Sequence, residues 1–299
     1  MARRMTLVAE ALVRGAVDLY VHCEPDLLRR RASDLALATE CAAAGYRAAL
    51  HRHHFSSTVE RSAVASEATG FDLFGAVLLN DSLGGLNPWA AELALRLGGR
   101  WIGLPTLSAK AFRDGLAAMP AALRSTLDFG PGRLTLTDDG GDVRVAVTDI
   151  LELARHSNVP VNIGYPSLEE CRATIAAAHA VGGVDIVLTN PHSSMRLTDD
   201  EVVELTGQGR VHLELPAYSM HPEGPSRRDP APALDRAAAL ISRVGSDRCV
   251  LSSDGGMADA PPPHVMLAFA LAELQRRGVP DEQLGALVHT NPGRLLRLQ

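Results

Sequence analysis

Eight short apolar runs, separated by Ala- and Leu-rich stretches, are the feature that most restricts how this chain can fold. The runs cover residues 16–22, 46–51, 72–79, 100–104, 160–164, 185–189, 211–215 and 249–254. Most are continuously apolar, as is typical of parallel strands buried on both faces. Eight such strands with helices between them predict a closed (β/α)8 barrel. A doubly wound sheet is the alternative, but the first run ends in His22-Cys-Glu-Pro25 and lacks its Gly-rich phosphate turn.

The stretches between the strands have helix composition and helix end signals. We predict helices over residues 33–44, 58–69, 88–97, 147–156, 168–181, 198–206 and 229–244. Ser33 and Ser167 are suitable N-caps, and several helices stop at glycine. We expect a single barrel domain over residues 1–299. It carries an insertion at about 106–145 after strand 4, with a hairpin that turns at Asp139-Gly-Gly-Asp142, and a Pro-rich loop at 218–232.

Composition and charge exclude several classes of function. The 299 residues are 46% hydrophobic and 21% charged, which is typical of a soluble globular protein. With 29 basic and 35 acidic residues the net charge is −6, so binding to nucleic acid or to an anionic membrane is not expected. Ala-rich outer helices would suit a homodimer.

Targeting signals and cysteine frameworks are not expected either. No apolar run approaches the ~18–20 residues of a membrane span. The apolar stretch near the start is interrupted by Glu10 and Arg14, which argues against a signal peptide and for a cytoplasmic location. The 4 cysteines are scattered and are expected to be free thiols.

Polar residues concentrate at the carboxyl ends of the predicted strands, where barrel enzymes place their chemistry. Members of this set are Tyr20, His22, His51, Arg52, His53, His54, Asn80, Asp81, Tyr165, Asn190, His192, His212, Glu214, Ser252, Ser253 and Asp254. Three imidazoles and a carboxylate, from His22, His53, His192 and Asp254, form a candidate divalent-metal site. A polar pocket that binds an anionic or amide-bearing ligand without metal is the alternative.

Some motifs have structural explanations of equal or greater weight. The turn Gly84-Gly-Leu-Asn-Pro88 contains Asn87 and could approach a ligand, but Pro88 also suits the first turn of a helix. Arg29-Arg-Arg31 could hold a carboxylate or phosphate, or could be a solvated loop. A serine hydrolase is not expected, because Ser252 and Ser253 lack a GxSxG elbow.

The segment Asp18-Leu-Tyr-Val-His-Cys-Glu-Pro-Asp26 resembles the strand-1 motif of the amidohydrolase superfamily. More narrowly, the chain resembles an amidohydrolase-like family known only as a domain of unknown function, whose first motif runs Asp-x-His-x-His-x-x-Pro-Asp. The resemblance continues at residues 51–58, 80–88, 104–106, 187–191, 251–255 and 291–295. It implies an amidohydrolase-type barrel with a divalent metal at its mouth and hydrolysis of amide, lactam or ester bonds.

Departures from the superfamily pattern change the expected metal site. Tyr20, Tyr165 and Asn190 stand where histidine ligands are expected, and Lys110, the only lysine, lies too far past strand 4 to bridge two metals. A two-metal centre is therefore not expected. One divalent ion would need His22 and Asp254, with further ligands from His51, His53, His192 or Glu214. Zinc is the first choice, with manganese and iron as alternatives, or no metal at all.

Three hypotheses about function follow. In the first, the protein is a metal-dependent hydrolase of a small molecule. Asp254 is the general base, His192 or His53 stabilises the oxyanion, and Tyr20 and Tyr165 donate hydrogen bonds. The second is a lyase, isomerase, decarboxylase or cyclase that uses His, Asp and Tyr without metal, and the third is a non-catalytic binder of small molecules. The predicted substrate-binding residues are Asn80, Asn87, Asn190, Arg52 and Tyr218.

Overall fold

A computed structural model describes residues 2–116, 118–119, 124, 127–130, 132–224 and 229–298, with side chains from residue 8 onward. Eight strands form one sheet in sequential order. They are β1 Val17–Val21, β2 Ala48–His51, β3 Asp72–Leu78, β4 Trp101–Gly103, β5 Val161–Asn162, β6 Ile186–Thr189, β7 Val211–Pro216 and β8 Cys249–Ser252. All residues of β1, β2 and β8 are buried, which explains their continuous apolar runs.

Twelve α-helices lie within the described residues. They are α1 Ala2–Val13, α2 Asp34–Ala43, α3 Val59–Thr69, α4 Pro88–Arg96, α5 Lys110–Leu116, α6 Val145–Ser157, α7 Leu168–Ala180, α8 Asp199–Thr206, α9 Ala231–Val244, α10 Pro263–Arg276, α11 Asp281–Gly285 and α12 Asn291–Leu295. No helix among the described residues is long and apolar enough to cross a membrane.

Neighbouring strands run parallel. The register joins Val17 of β1 to Ala48 of β2, and Val161 of β5 to Ile186 of β6. After β8, Gly255 forms a parallel bridge with Val21, so the last strand returns to the first. Eight parallel strands with helices between them confirm the predicted (β/α)8 barrel fold.

The helix caps and the hairpin predicted from the sequence are present in the structure. Ser33 caps α2 by accepting the Ala36 N–H, and Ser167 and Glu170 form a capping box at α7. In the insertion after β4, Thr137 and Val143 form an antiparallel bridge, which confirms the hairpin. Residues 117, 120–123, 125–126 and 131 of the insertion, and 225–228 of the predicted 218–232 loop, lie outside the described residues.

The chain divides into two compact units. The first contains Met1–Arg52, Glu60–Gly75 and Glu214–Gln299, and the second contains His53–Val59 and Ala76–Leu213. In the first unit α1 packs against α10. Neither of these two helices was predicted from the sequence. The single domain over residues 1–299 stays a prediction.

Candidate active site

His22 lies directly after β1 and is 3% exposed. Its Nδ1 lies 2.8 Å from the backbone oxygen of Arg52. A carbonyl oxygen only accepts, so the Nδ1 atom carries the proton and the Nε2 atom carries the lone pair. Burial lowers the pKa of His22 well below its usual value, and the charge of Arg30 lowers it further. His22 is therefore a neutral imidazole whose Nε2 can accept a proton or bind a cation.

Asp254 lies two residues after β8 and faces His22. Its φ of 52° is in the left-handed region, which is uncommon for a residue other than glycine. The turn lets Gly255 accept the His22 N–H at 2.8 Å. At Gly256 an added Cβ would lie 2.1 Å from the His22 carbonyl oxygen, so only glycine fits there. Asp254 Oδ1 thereby comes to 3.4 Å from His22 Nε2. Two acceptor atoms at this distance are suited to share a cation or a proton.

Arg52 and Glu214 form a buried ion pair beside this site. The two guanidinium nitrogens Nη1 and Nη2 lie 2.8 and 3.0 Å from the two carboxylate oxygens. Ser252 donates its hydroxyl to the same carboxylate at 2.7 Å. The guanidinium carbon lies 4.4 Å from the Tyr20 ring centroid, and that ring lies 5.0 Å from the His22 ring. Arg52 thus pairs with Glu214 and holds Tyr20 beside His22, and its predicted substrate contact stays a prediction.

Tyr218, also predicted to bind substrate, belongs to the same unit. It lies in a short 3-10 helix, Ala217–Met220, and its backbone N–H donates to the Ser253 carbonyl at 2.9 Å. The structure thus brings five predicted site residues into the first unit. They are Tyr20, His22, Arg52, Tyr218 and Asp254.

His53 belongs to the second unit and is 4% exposed. Its Nδ1 accepts the backbone N–H groups of Phe55 at 3.0 Å and Ser56 at 3.1 Å. Because these groups can only donate, Nδ1 is unprotonated and the proton lies on Nε2. A histidine that binds a metal through Nε2 must have its lone pair there. The geometry of His53 therefore suits a hydrogen-bond donor, and its predicted role as a metal ligand stays a prediction.

His192, Tyr165 and Asn190 also lie in the second unit. His192 places Nε2 2.8 Å from Asp199 Oδ1, in the first turn of α8. Tyr165 is 5% exposed, and its ring lies 5.3 Å from that of Phe112. Asn190 has a φ of 53°, a conformation that asparagine tolerates. The roles predicted for these residues stay predictions.

Two asparagines predicted to bind substrate have hydrogen-bond partners within the protein, and their predicted role stays a prediction. The Asn80 side chain donates to the His54 carbonyl and the Thr106 hydroxyl, and its oxygen accepts two backbone N–H groups, from Thr106 and Ser108. These four bonds use its full capacity. Asn87 caps α4 by accepting the N–H groups of residues 89 and 90. Both asparagines therefore stabilise loops in the second unit.

A cluster of Cys23, Asp34 and His51 could hold a metal ion outside the His22 and Asp254 pair. Their ligand atoms lie within 4.8 Å of one another, and among the described residues this is the only group of three or more His, Cys, Asp or Glu that does so. Arg61 also pairs with Asp34 at 2.7 Å, so part of the carboxylate charge is already balanced. Burial raises the pKa of the Cys23 thiol well above its usual value.

The burial of two ionisable groups was not predicted from the sequence. Asp18 is 0% exposed, and its Oδ1 accepts the N–H groups of Tyr20 and Ser253 at 3.1 and 2.9 Å. Arg30 pairs with Asp26 at 2.6 Å, although the Arg29-Arg-Arg31 run was equally consistent with a solvated loop. The available signals were a carboxylate within an apolar strand and an acid and a base four residues apart.

Solved structures with the same fold come from proteins named as hydrolases. A 2-pyrone-4,6-dicarboxylic acid hydrolase of Pseudomonas putida has a TM-score of 0.58 and 16% identity, covering 95% of this chain and 97% of its own. An amidohydrolase of Pseudomonas aeruginosa has a TM-score of 0.59 and 10% identity, covering 98% of each chain. A mutant PTE-like lactonase of Deinococcus radiodurans has a TM-score of 0.58 and 16% identity, covering 96% and 97%. At such identities the likeness shows the fold.

Sequence comparison identifies the family of this chain, which the structural likeness alone does not. No curated protein matches this chain. A family of unknown function, DUF6282, matches residues 15–214, which contain β1 to β6 and most of β7. The match to a family of unknown function and a structural neighbour named as an amidohydrolase agree with the predicted amidohydrolase-like domain of unknown function. The chain belongs to the family DUF6282.

Proposed function

We propose that this protein hydrolyses an amide, lactam or ester bond of a small molecule at His22 and Asp254. The observation that carries the proposal is the 3.4 Å approach of His22 Nε2 to Asp254 Oδ1. These atoms lie where β1 and β8 end, the face on which barrel enzymes place their reacting groups. The names of the structural neighbours, a dicarboxylic acid hydrolase, an amidohydrolase and a lactonase, support this class of reaction.

Asp254 is the general base in this proposal. It removes a proton from the attacking water and delivers it to the leaving group. His22 stays neutral because it is buried, and the Arg52 carbonyl orients its ring. Tyr20 lies beside His22 and donates a hydrogen bond to the substrate. Arg52 and Glu214 hold the Tyr20 ring in place without a net charge.

The donor atoms of His22 and Asp254 fit one divalent ion, and zinc is our first choice. Such an ion would polarise the scissile carbonyl and make water more acidic. His22 donates its Nδ1 proton to a backbone carbonyl oxygen. Histidines that bind a metal through Nε2 commonly make this hydrogen bond. A catalytic zinc site uses about three protein ligands. His192, the further ligand predicted from the sequence, stays a prediction, whereas the tautomer of His53 favours a donor role.

Acid–base chemistry without metal is the second candidate, as in a lyase or isomerase. Tyr20 replaces an expected histidine ligand, and the Arg52 guanidinium lies 4.4 Å from the centre of its ring. In this chemistry His22 and Asp254 would transfer protons and Tyr20 would donate a hydrogen bond, so no metal is required. Elemental analysis separates the candidates. About one zinc, manganese or iron per chain supports the hydrolase, and a metal-free active protein supports the alternative.

The decisive experiment assays untagged protein against lactones, carboxylic esters, lactams and dipeptides. Removal of metal by chelator should abolish hydrolysis, and zinc should restore it. Asp254→Asn should leave less than about 1% of kcat, the loss typical of a missing general base. Asp259→Asn, the same change at an exposed residue five positions away, is the control and should keep full activity. Unchanged hydrolysis after Asp254→Asn would refute the proposal.

A further inference from the structure

In the loop between β1 and α2, the carboxylate of Glu24 faces the backbone of its own loop. The two oxygens of Glu24 accept the backbone N–H groups of Asp26 at 3.2 Å and Arg30 at 2.8 Å. The next residue, Arg31, donates its N–H to the Gly256 carbonyl at 2.9 Å. These bonds attach the loop to the turn after β8, so the position of the Arg30 side chain is defined.

Arg30 is buried in this loop, with 1% of its side chain exposed. Its Nε donates to Asp26 Oδ2 at 2.6 Å. Its Nη1 donates to the thioether sulfur of Met257 at 2.9 Å, and its Nη2 has no hydrogen-bond partner among the residues that the structure describes. A thioether is a weak acceptor, and a buried charged donor without an acceptor is costly. Within the described part of the chain, one edge of the Arg30 guanidinium is therefore not satisfied.

The chain segment that contacts the Arg30 guanidinium also carries Asp254 and lies against His22. Met257 follows Asp254 by three residues, and Gly256 between them lies against the His22 carbonyl. The charge of Arg30 contributes to the lowered pKa of His22, which places the two side chains within electrostatic reach. A ligand held at Arg30 would thus lie against the segment that carries Asp254.

We propose that Arg30 binds a carboxylate group of the substrate. The two carboxylate oxygens take Nη1 and Nη2, and the Met257 sulfur occupies part of this position in the free protein. Asp26 already places one negative charge on the same guanidinium, so a carboxylate suits the site better than a phosphate dianion. Binding of a carboxylate at Arg30 does not depend on the proposed function. Only the statement that the bound compound is the one hydrolysed rests on it.

Calorimetric titration of the full chain tests the binding. The probes are dicarboxylates from malonate to adipate, with glutaramide as the uncharged probe and inorganic phosphate as the alternative anion. At least one dicarboxylate should bind, and glutaramide should not. Arg30→Gln should weaken that binding about tenfold or more, as expected when charge-assisted bonds are lost. Arg29→Gln removes a neighbouring exposed charge and should leave it unchanged.

A second variant avoids leaving Asp26 without its partner. Met257→Glu keeps the pair of Asp26 and Arg30 and places an internal carboxylate beside Nη1. It should compete with the dicarboxylate and weaken binding about tenfold or more, whereas the neutral Met257→Gln should not. The inference is overturned if no dicarboxylate binds, if glutaramide or phosphate binds equally well, or if Arg30→Gln or Met257→Glu binds like the wild type.

These titrations break no bond, so they are independent of the proposed hydrolysis. Arg30-dependent binding without hydrolysis of any ester, lactone, lactam or dipeptide would refute the proposed function and leave the carboxylate site standing. Hydrolysis of carboxylate-bearing and uncharged substrates with equal kcat/KM, unchanged by Arg30→Gln, would refute the carboxylate site and leave the proposed function standing.

Discussion

Arg52 and Glu214, which are 162 residues apart in the chain, form a bidentate ion pair with nitrogen-to-oxygen distances of 2.8 and 3.0 Å. The side chains are 2% and 0% exposed, so neither charge can be solvated by water. Ser252 satisfies a further lone pair of the carboxylate. Such a pair tolerates the loss of both charges much better than the loss of one.

Breaking this pair should be strongly destabilising. Arg52→Met leaves the Glu214 carboxylate buried without its partner and should lower the free energy of unfolding by about 3–5 kcal/mol. The double variant Arg52→Met with Glu214→Leu should recover much of that loss. Urea unfolding measures both.

The exposed pair of Arg172 and Glu204 is the control. Its side chains are 45% and 42% exposed. Arg172→Met should hardly change stability, because water and salt screen exposed charges. Equal losses from Arg52→Met and Arg172→Met would contradict the importance of burial.

Asp18 should make stability depend on pH. Burial raises its pKa from 3.8 to about 7 in the folded protein. The folded state then binds the proton more tightly than the unfolded state, so the free energy of unfolding falls as pH rises from about 4 to about 7. Asp18→Asn cannot ionise, so it should be more stable than the wild type at pH 8, on the order of a few kcal/mol, and similar to it near pH 4. A stability difference that does not change with pH would contradict the raised pKa.

His22 and His53 should have opposite tautomers. The Arg52 carbonyl places the proton of His22 on Nδ1, and two backbone N–H groups place that of His53 on Nε2. Long-range proton–nitrogen NMR spectra of protein with labelled histidine distinguish the two forms. His22→Gln and His53→Asn would assign the signals. Finding the same tautomer at both residues would remove the proposed donor role of His53.

Glu170 should stabilise the protein more than an ordinary capping residue. One of its oxygens completes the capping box of α7, and the other accepts the Leu136 N–H of the insertion at 2.7 Å. Ser167→Ala should cost about 1 kcal/mol. Glu170→Ala should cost more, because a buried backbone donor also loses its partner. The capping box of Thr198 and Glu201 is exposed and provides the control, Glu201→Ala. Thermal unfolding compares the variants. An equal loss of stability in Glu170→Ala and Glu201→Ala would contradict the role of Glu170 at the Leu136 N–H.

Much of the fold could be predicted because its signals are local. Strands buried on both faces appear as continuous apolar runs, and the structure confirms the barrel order that eight such runs indicate. The caps at Ser33 and Ser167 depend on residues within one helical turn. Helices α1 and α10 were missed, and they pack against each other from opposite ends of the chain.

The sequence by itself determined which residue types stand at the strand ends, because each buried strand appears as a continuous apolar run and the polar residues follow where the run stops. Only the tertiary structure decided their partners. Arg52, expected at the substrate, is neutralised by Glu214, and Arg30, one of three consecutive arginines, is the buried one. Partner choice and burial depend on which distant segments approach and exclude water. A charge keeps its full electrostatic effect only where that exclusion is complete.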